Sequence, residues 1–217
     1  MPRFIQGLYP ERIWAFSDSK DSVYLTFDDG PIPEVTSWVL DELKKHKAKA
    51  TFFCIGENVQ KHPEIFRRIL AEGHSVGNHT FNHLNGWRTE TSEYVENVLK
   101  FKELLNSEFT IKNSEILFRP PYGKVTSQQA KILQQKGFKI VMWDIISYDY
   151  DAKVSEEKCL QNVLKNLRSG SVVVFHDSLK AEKNLRYVLP KVLGFIRERD
   201  LLCKSINQNS YLSSGKI

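Results

Sequence analysis

Short, almost continuously apolar runs that end in polar residues recur along this chain, each after a helix-like stretch and a glycine or lysine stop. No other feature narrows the possible folds as much. Val23-Tyr24-Leu25-Thr26-Phe27 is apolar, β-branched and aromatic, and it ends at Asp28-Asp29-Gly30-Pro31. Such a run reads as a strand buried on both faces. A helix is expected over residues 33–46, with Pro33 in its first turn and Val35, Val39 and Leu43 on one face. Residues 50–55 read as the next strand, residues 63–71 as the next helix, and Gly73 as its stop before the run 74–78. The unit returns at 127–136, Gly137 and the run 138–143, and again at 155–168, Gly170 and the run 171–175. Alternation of this kind implies a parallel sheet covered by helices on its outer face, with an α/β barrel the leading architecture. A doubly wound open sheet fits the alternation as well, but no glycine-rich dinucleotide or phosphate fingerprint follows the first strand. In both architectures chemistry belongs at the carboxyl ends of the strands, where the unusual polar residues of this chain gather.

At 217 residues, with 41% apolar and 26% charged residues, the chain has the size and composition of one soluble catalytic domain spanning residues 1–217. Its net charge of +5 is spread over lysines interleaved with acids, as in Asp41-Glu42 before Lys44-Lys45, so solvated helix faces account for it. No basic stripe with interleaved aromatics occurs, and nucleic acid is not an expected partner. Cys54, Cys159 and Cys203 are widely separated, without zinc-finger or redox spacing, and read as free thiols. The N-terminus shows no apolar leader, and no run approaches bilayer-spanning length. As written, the chain is expected in the cytoplasm; a leader missing from these residues would instead place it outside the cell or in the periplasm. Residues after Asn207 read as a polar tail.

Four groups of residues carry chemistry. Asp28 and Asp29 place two like charges side by side at a strand end, which costs free energy unless a cation or proton sits between them. An Asp-Gly turn with helix-capping acids is the simpler reading of that pair alone. His79-Thr80-Phe81-Asn82-His83 holds two imidazoles four residues apart, which one helical turn would set on one face as a chelate. With a carboxylate they would form a three-ligand site with an open position, as in a catalytic zinc centre. Phe118-Arg119-Pro120-Pro121-Tyr122-Gly123 reads either as a stiff turn with a surface arginine or as a rigid loop whose arginine grips a carboxylate in a bidentate fork. His176-Asp177 closes the run Val172-Val173-Val174-Phe175. All four groups fall at the same end of the expected parallel strands.

These residues resemble the polysaccharide deacetylases of carbohydrate esterase family 4, the NodB homology domain, from about Val23 to His176. The motifs that carry the resemblance are Thr26-Phe27-Asp28-Asp29-Gly30, His79 through His83, Arg119-Pro120-Pro121-Tyr122, Asp149-Tyr150 and Val174-Phe175-His176. The resemblance implies a distorted (β/α) barrel of seven parallel strands. It implies a hydrolase that removes N-acetyl groups from an N-acetylglucosamine-containing glycan of the chitin oligosaccharide or peptidoglycan type. Asp28 would be the general base toward a metal-activated water, His176 the general acid, and Asp29, His79 and His83 the ligands of one divalent ion. Arg119 would orient Asp28, Asp149 would pair with His176, and the backbone N–H of Tyr122 would help hold the oxyanion. Tyr122, Pro120, Tyr150, Val174 and Trp87 would meet substrate. Tyr150 stands where the family has tryptophan, and Val174 where leucine is usual, so the pocket is expected to differ in size.

Zinc suits the ligand types best, and cobalt, nickel or manganese are chemically admissible. The same site could instead act on O-acetyl esters or on a non-sugar amide, since a fold does not fix its substrate. A glycan-binding module with a decayed site is the non-enzymatic alternative, weakened by every acid, base and ligand position being filled. Trp14, Trp38 and Trp87 read first as packing, with Trp87, just beyond the His79–His83 segment, the best of the three as a sugar platform.

Overall fold

The computed structural model describes residues 3–16, 19–109, 116–207 and 210. The polar tail read after Asn207 lies, Ser210 apart, outside them. The strands are β1 (Ser22–Asp28), β2 (Thr51–Cys54), β3 (Ser75–Asn78), β4 (Ile116–Phe118), β5 (Phe138–Ile140), β6 (Ile145–Ile146), β7 (Val172–His176) and β8 (Leu202–Cys203). The helices are α1 (Arg3–Leu8), α2 (Pro33–Lys45), α3 (Gly56–Lys61), α4 (Pro63–Ala71), α5 (Thr91–Glu108), α6 (Ser127–Gln135), α7 (Glu156–Leu164) and α8 (Glu182–Glu198).

Seven strands pair in the order β5-β4-β3-β2-β1-β7-β6, every pair parallel, while β8 pairs with the start of β1. β5 and β6 are the two edges of this sheet, yet only residues 141–144 separate them in the chain. The sheet therefore curls until its edges face each other, giving a half-barrel wrapped by helices. The segment before β1 fills the seam. Ile13 donates to the Ile140 carbonyl at 2.9 Å and accepts from Met142 N–H at 2.7 Å, and Phe16 donates to the Gly170 carbonyl at 2.9 Å. Gly170 is required there: its φ is +82°, and a Cβ would lie 2.0 Å from the Phe16 oxygen.

Period-2 alternation along β1 explains why its run is apolar throughout. Val23, Leu25 and Phe27 join one buried cluster with Val35, Val39, Leu189 and Val192 of the covering helices. Tyr24 turns to a second cluster with Phe53, Val172, Val174 and Trp143. Thr26 and Asp28 share the face of Tyr24, which puts polar groups inside the curl.

Two expected elements end three or four residues before their patterns do. The run 138–143 is a strand only over Phe138–Ile140, because the Val141 and Met142 carbonyls bond to the side chain of Arg119 instead of to a neighbouring strand. The helix expected over 155–168 spans Glu156–Leu164, with Ser155 as its N-cap accepting from Lys158 N–H. No helix among the described residues is long and apolar enough to cross a membrane.

Candidate active site

Because the strands are parallel, the polar residues that end them converge at one mouth of the half-barrel. Asp28 ends β1 in register with His176 at the end of β7, and His79 and Arg119 directly follow β3 and β4. Asp29 leaves β1 with φ 85°, a left-handed turn that swings its carboxylate beside Asp28.

Asp29, His79 and His83 each offer one ligand atom, and these atoms all lie within 4.8 Å of one another. Asp29 Oδ1 is 3.2 Å from His83 Nε2 and 3.8 Å from His79 Nε2. His79 Nδ1 lies 2.7 Å from the Arg119 carbonyl, an acceptor, so Nδ1 carries the proton and the Nε2 lone pair faces Asp29. Burial outweighs the attraction of Asp28 and pulls His79 down to about 4, which keeps the ring neutral. Burial opposes the charge on Asp29, but the His83 hydrogen bond and the imidazoles of His176 and His79 hold its carboxyl well below the usual range. Neutral imidazole and ionised carboxylate are the forms that bind a divalent cation, and the residues present fit one. The route to this convergence differs from the helical turn expected from the spacing. Residues 79–83 form a loop in which Thr80 and His83 adopt φ 63° and 56°, and those two left-handed residues bring the rings to 5.2 Å.

Arg119 is fully buried and reaches across the interior of the curl. Its Nη1 donates to Asp28 Oδ1 and to Thr26 Oγ1, each at 2.7 Å, while Nε and Nη2 donate to the Val141 and Met142 carbonyls. The expected bidentate fork is thus replaced by a single bond to the carboxylate. The other donors hold the backbone between β5 and β6, because the inward-turned carbonyls there need partners. Asp28 Oδ2 takes no part in the Arg119 contact and lies 4.0 Å from His79 Nε2.

His176 Nδ1 donates to Asp149 Oδ1 at 2.8 Å, and the His176 backbone N–H donates to Asp149 Oδ2 at 2.9 Å. Ser147 donates its hydroxyl to Asp149 Oδ1. Burial alone would lower His176, but Asp149 outweighs it by charge and hydrogen bond and raises the ring to about 9. His176 is therefore an imidazolium at neutral pH. The Tyr150 ring stands edge-on to it at 4.7 Å.

A cavity of about 840 Å³ opens over this cluster. Asp28, Asp29, His79, His83 and His176 line it, as do Pro120, Tyr122, Tyr150 and Val174; Arg119 and Asp149 stand behind the wall. Trp87 is 66% exposed but is not among the lining residues. Trp143, Tyr148 and Lys180, which the sequence reading did not single out, do line it. That reading also missed Asp177 as a tether. Burial pushes its carboxyl up to about 8 despite the hydrogen bonds it accepts from Thr36 and Gly30. A second ionisable residue directly after the strand-end His176 is the one local signal that marks it.

Residues 17–141 match the family model described as polysaccharide deacetylase. This chain belongs to the polysaccharide deacetylase family. A peptidoglycan-N-acetylglucosamine deacetylase from Bacillus cereus is 41% identical over 76% of the chain, which spans 60% of that relative's length. A chitooligosaccharide deacetylase from Azorhizobium caulinodans is 34% identical, over 74% of this chain and 76% of the relative. A crystal structure of a peptidoglycan N-acetylglucosamine deacetylase matches with a TM-score of 0.85 at 33% identity, covering 95% of each chain. The family and the curled seven-stranded fold implied by the sequence motifs are both borne out. The enzyme class is that of a polysaccharide deacetylase, a hydrolase acting on carbohydrate.

Proposed function

We propose that this polysaccharide deacetylase removes N-acetyl groups from an N-acetylglucosamine-containing glycan of the chitin oligosaccharide or peptidoglycan type. The observation that carries the reading is the placing of Asp28 and an Asp149-paired His176 on one cavity wall with the Asp29, His79 and His83 cluster. Relatives named for deacetylating peptidoglycan and chitooligosaccharide support the substrate class.

When bound by Asp29, His79 and His83, a divalent ion, with zinc favoured by the donor set, would supply Lewis acidity toward the acetamide carbonyl and acidify a water. The chain's own residues do the rest. Arg119 fixes Asp28 through Oδ1, leaving Oδ2 to take a proton from the attacking water. The new C–O bond forms at the acetyl carbon, and the backbone N–H of Tyr122 steadies the charge that develops on its oxygen, a contribution of about 3 kcal/mol for one such donor. His176 then gives its proton to the sugar nitrogen as the C–N bond breaks, releasing acetate and a free amine. Asp149 holds the His176 ring in place and stabilises the imidazolium before transfer.

Acetate release from N-acetylglucosamine oligomers by metal-loaded protein, run beside Asp28→Asn, tests the reading. Acetate from the wild type and not from the variant is expected. Metal-loaded wild type that releases none, but does release acetate from O-acetylated xylan, would move the assignment to an esterase.

A further inference from the structure

We propose that Asp177 is a positioning residue that sets the Asp28-Asp29-Gly30 turn and couples it to the strand carrying His176. The proposal rests on the reading of Asp29 as a metal ligand and goes beyond it, since it concerns what holds that ligand.

Asp177 follows His176 at the end of β7 and is 1% exposed. Its backbone N–H donates to the Asp28 carbonyl at 3.0 Å. Its side chain turns back over the same turn: Oδ1 accepts the Gly30 N–H at 3.1 Å, and Oδ2 accepts the Thr36 hydroxyl at 2.6 Å. The Thr36 oxygen in turn accepts the Ile32 N–H at 2.7 Å. One carboxyl group thus grips both sides of the 28–32 segment, and the described residues place no lysine, arginine or histidine in ion-pair distance of it. A buried carboxyl without a cation is a costly residue to keep for packing alone, and its donors all come from the turn and the helix that follows.

The turn is shaped to receive it. A Cβ on Gly30 would lie 2.0 Å from Asp177 Oδ2, so only glycine admits the carboxyl at this approach. Asp29, between the two gripped residues, holds φ 85°, a left-handed conformation uncommon outside glycine though better tolerated by aspartate than by most residues. The remaining carbonyls of the turn are tied to the other flank, Asp29 O by Asn58 Nδ2 and Gly30 O by Ile55 N–H. Asp177 supplies the tie on the β7 side. Because it is covalently next to His176, the same residue sets the distance between the acid and the base-and-ligand turn.

The test compares Asp177→Asn, Asp177→Ala and Thr36→Val with wild type for zinc affinity by calorimetry, the visible spectrum of the cobalt-loaded protein, and kcat and KM for acetate release. Asparagine keeps an acceptor for the Gly30 N–H and a polar partner for Thr36, whereas alanine keeps neither. The expected order is wild type and Asp177→Asn close together, Thr36→Val weaker, and Asp177→Ala weakest. Asp177→Ala should lose about 10- to 100-fold in zinc affinity, the range for partners behind a metal ligand. Its cobalt spectrum should change, and kcat should fall with KM little altered. Equal affinities and spectra for wild type and a folded Asp177→Ala would overturn the proposal. Should Asp177→Ala fail to fold, a Thr36→Val protein with unchanged affinity, spectrum and kcat would overturn it. Zinc and cobalt binding are read without substrate, so wild type that binds metal in this order yet releases no acetate counts against the substrate assignment and leaves Asp177's role standing. A wild type that binds neither metal overturns both.

Discussion

In the proposed reaction Asp28 takes a proton from the attacking water and His176 gives one to the leaving amine. His176 carries its proton at neutral pH because Asp149 outweighs the burial that would strip it, and its pKa rises from 6.5 to about 9. The folded value lies above the unfolded one, so the stability that charged His176 contributes is full below pH 6.5 and is lost as pH rises through about 9. The kcat for acetate release should fall over the same alkaline range, as the acid form disappears. Asp149→Asn should bring that fall to lower pH, and His176→Ala should keep its metal while losing roughly 10²- to 10⁴-fold in rate. A pH–rate profile of the three proteins with metal content measured alongside checks this; an alkaline limb unmoved by Asp149→Asn would remove Asp149 from its role. The identities of these residues were readable from the strand-end motifs. Their pairing was implied by the family resemblance alone and not by period or spacing, since Asp149 and His176 meet only when β7 and the loop after β6 are brought together.

At the level of elements, strand β1 and helices α2, α4 and α6 were legible because their period and end signals are local. α4 spans the expected 63–71, begins on Pro63 and stops at Gly73, whose φ is +75°. α6 carries a capping box, Thr126 with Gln129. The short β6 and β8 have too few residues to show a period. The seam segment was illegible for another reason: Ile13 and Ala15 are isolated bridges whose partners, Val141 and Ser171, lie far along the chain. Gly170→Ala tests that seam. A Cβ there collides with the Phe16 carbonyl and demands a left-handed alanine, so a loss of at least about 1–3 kcal/mol is expected by chemical denaturation. A variant within 0.5 kcal/mol of wild type, about the spread of ordinary surface changes, would show that the seam segment is not held there.

Over the whole molecule, Arg119 is the tie that joins site and fold. From the end of β4 it bonds Thr26 and Asp28 of β1 and the Val141 and Met142 carbonyls between the two edge strands. Arg119→Met should therefore lower stability by about 3–5 kcal/mol, since it leaves a buried carboxylate and two carbonyls unpaired. It should lower kcat as well, and the paired measurement is urea unfolding with acetate release. Full stability with low kcat would confine Arg119 to the site. The alternation of helix and buried strand, the parallel sheet, and the gathering of Asp28, Asp29, His79, Arg119 and His176 at one end of it are legible in the chain. Those follow from apolar period and from strand ends, which neighbouring residues specify. The filled seam, the left-handed route of residues 79–83 and the grip of Asp177 on Gly30 are settled only in three dimensions. Asp177 and Gly30 are 147 residues apart, and a hydrogen bond over that separation leaves no period or spacing in the chain to read.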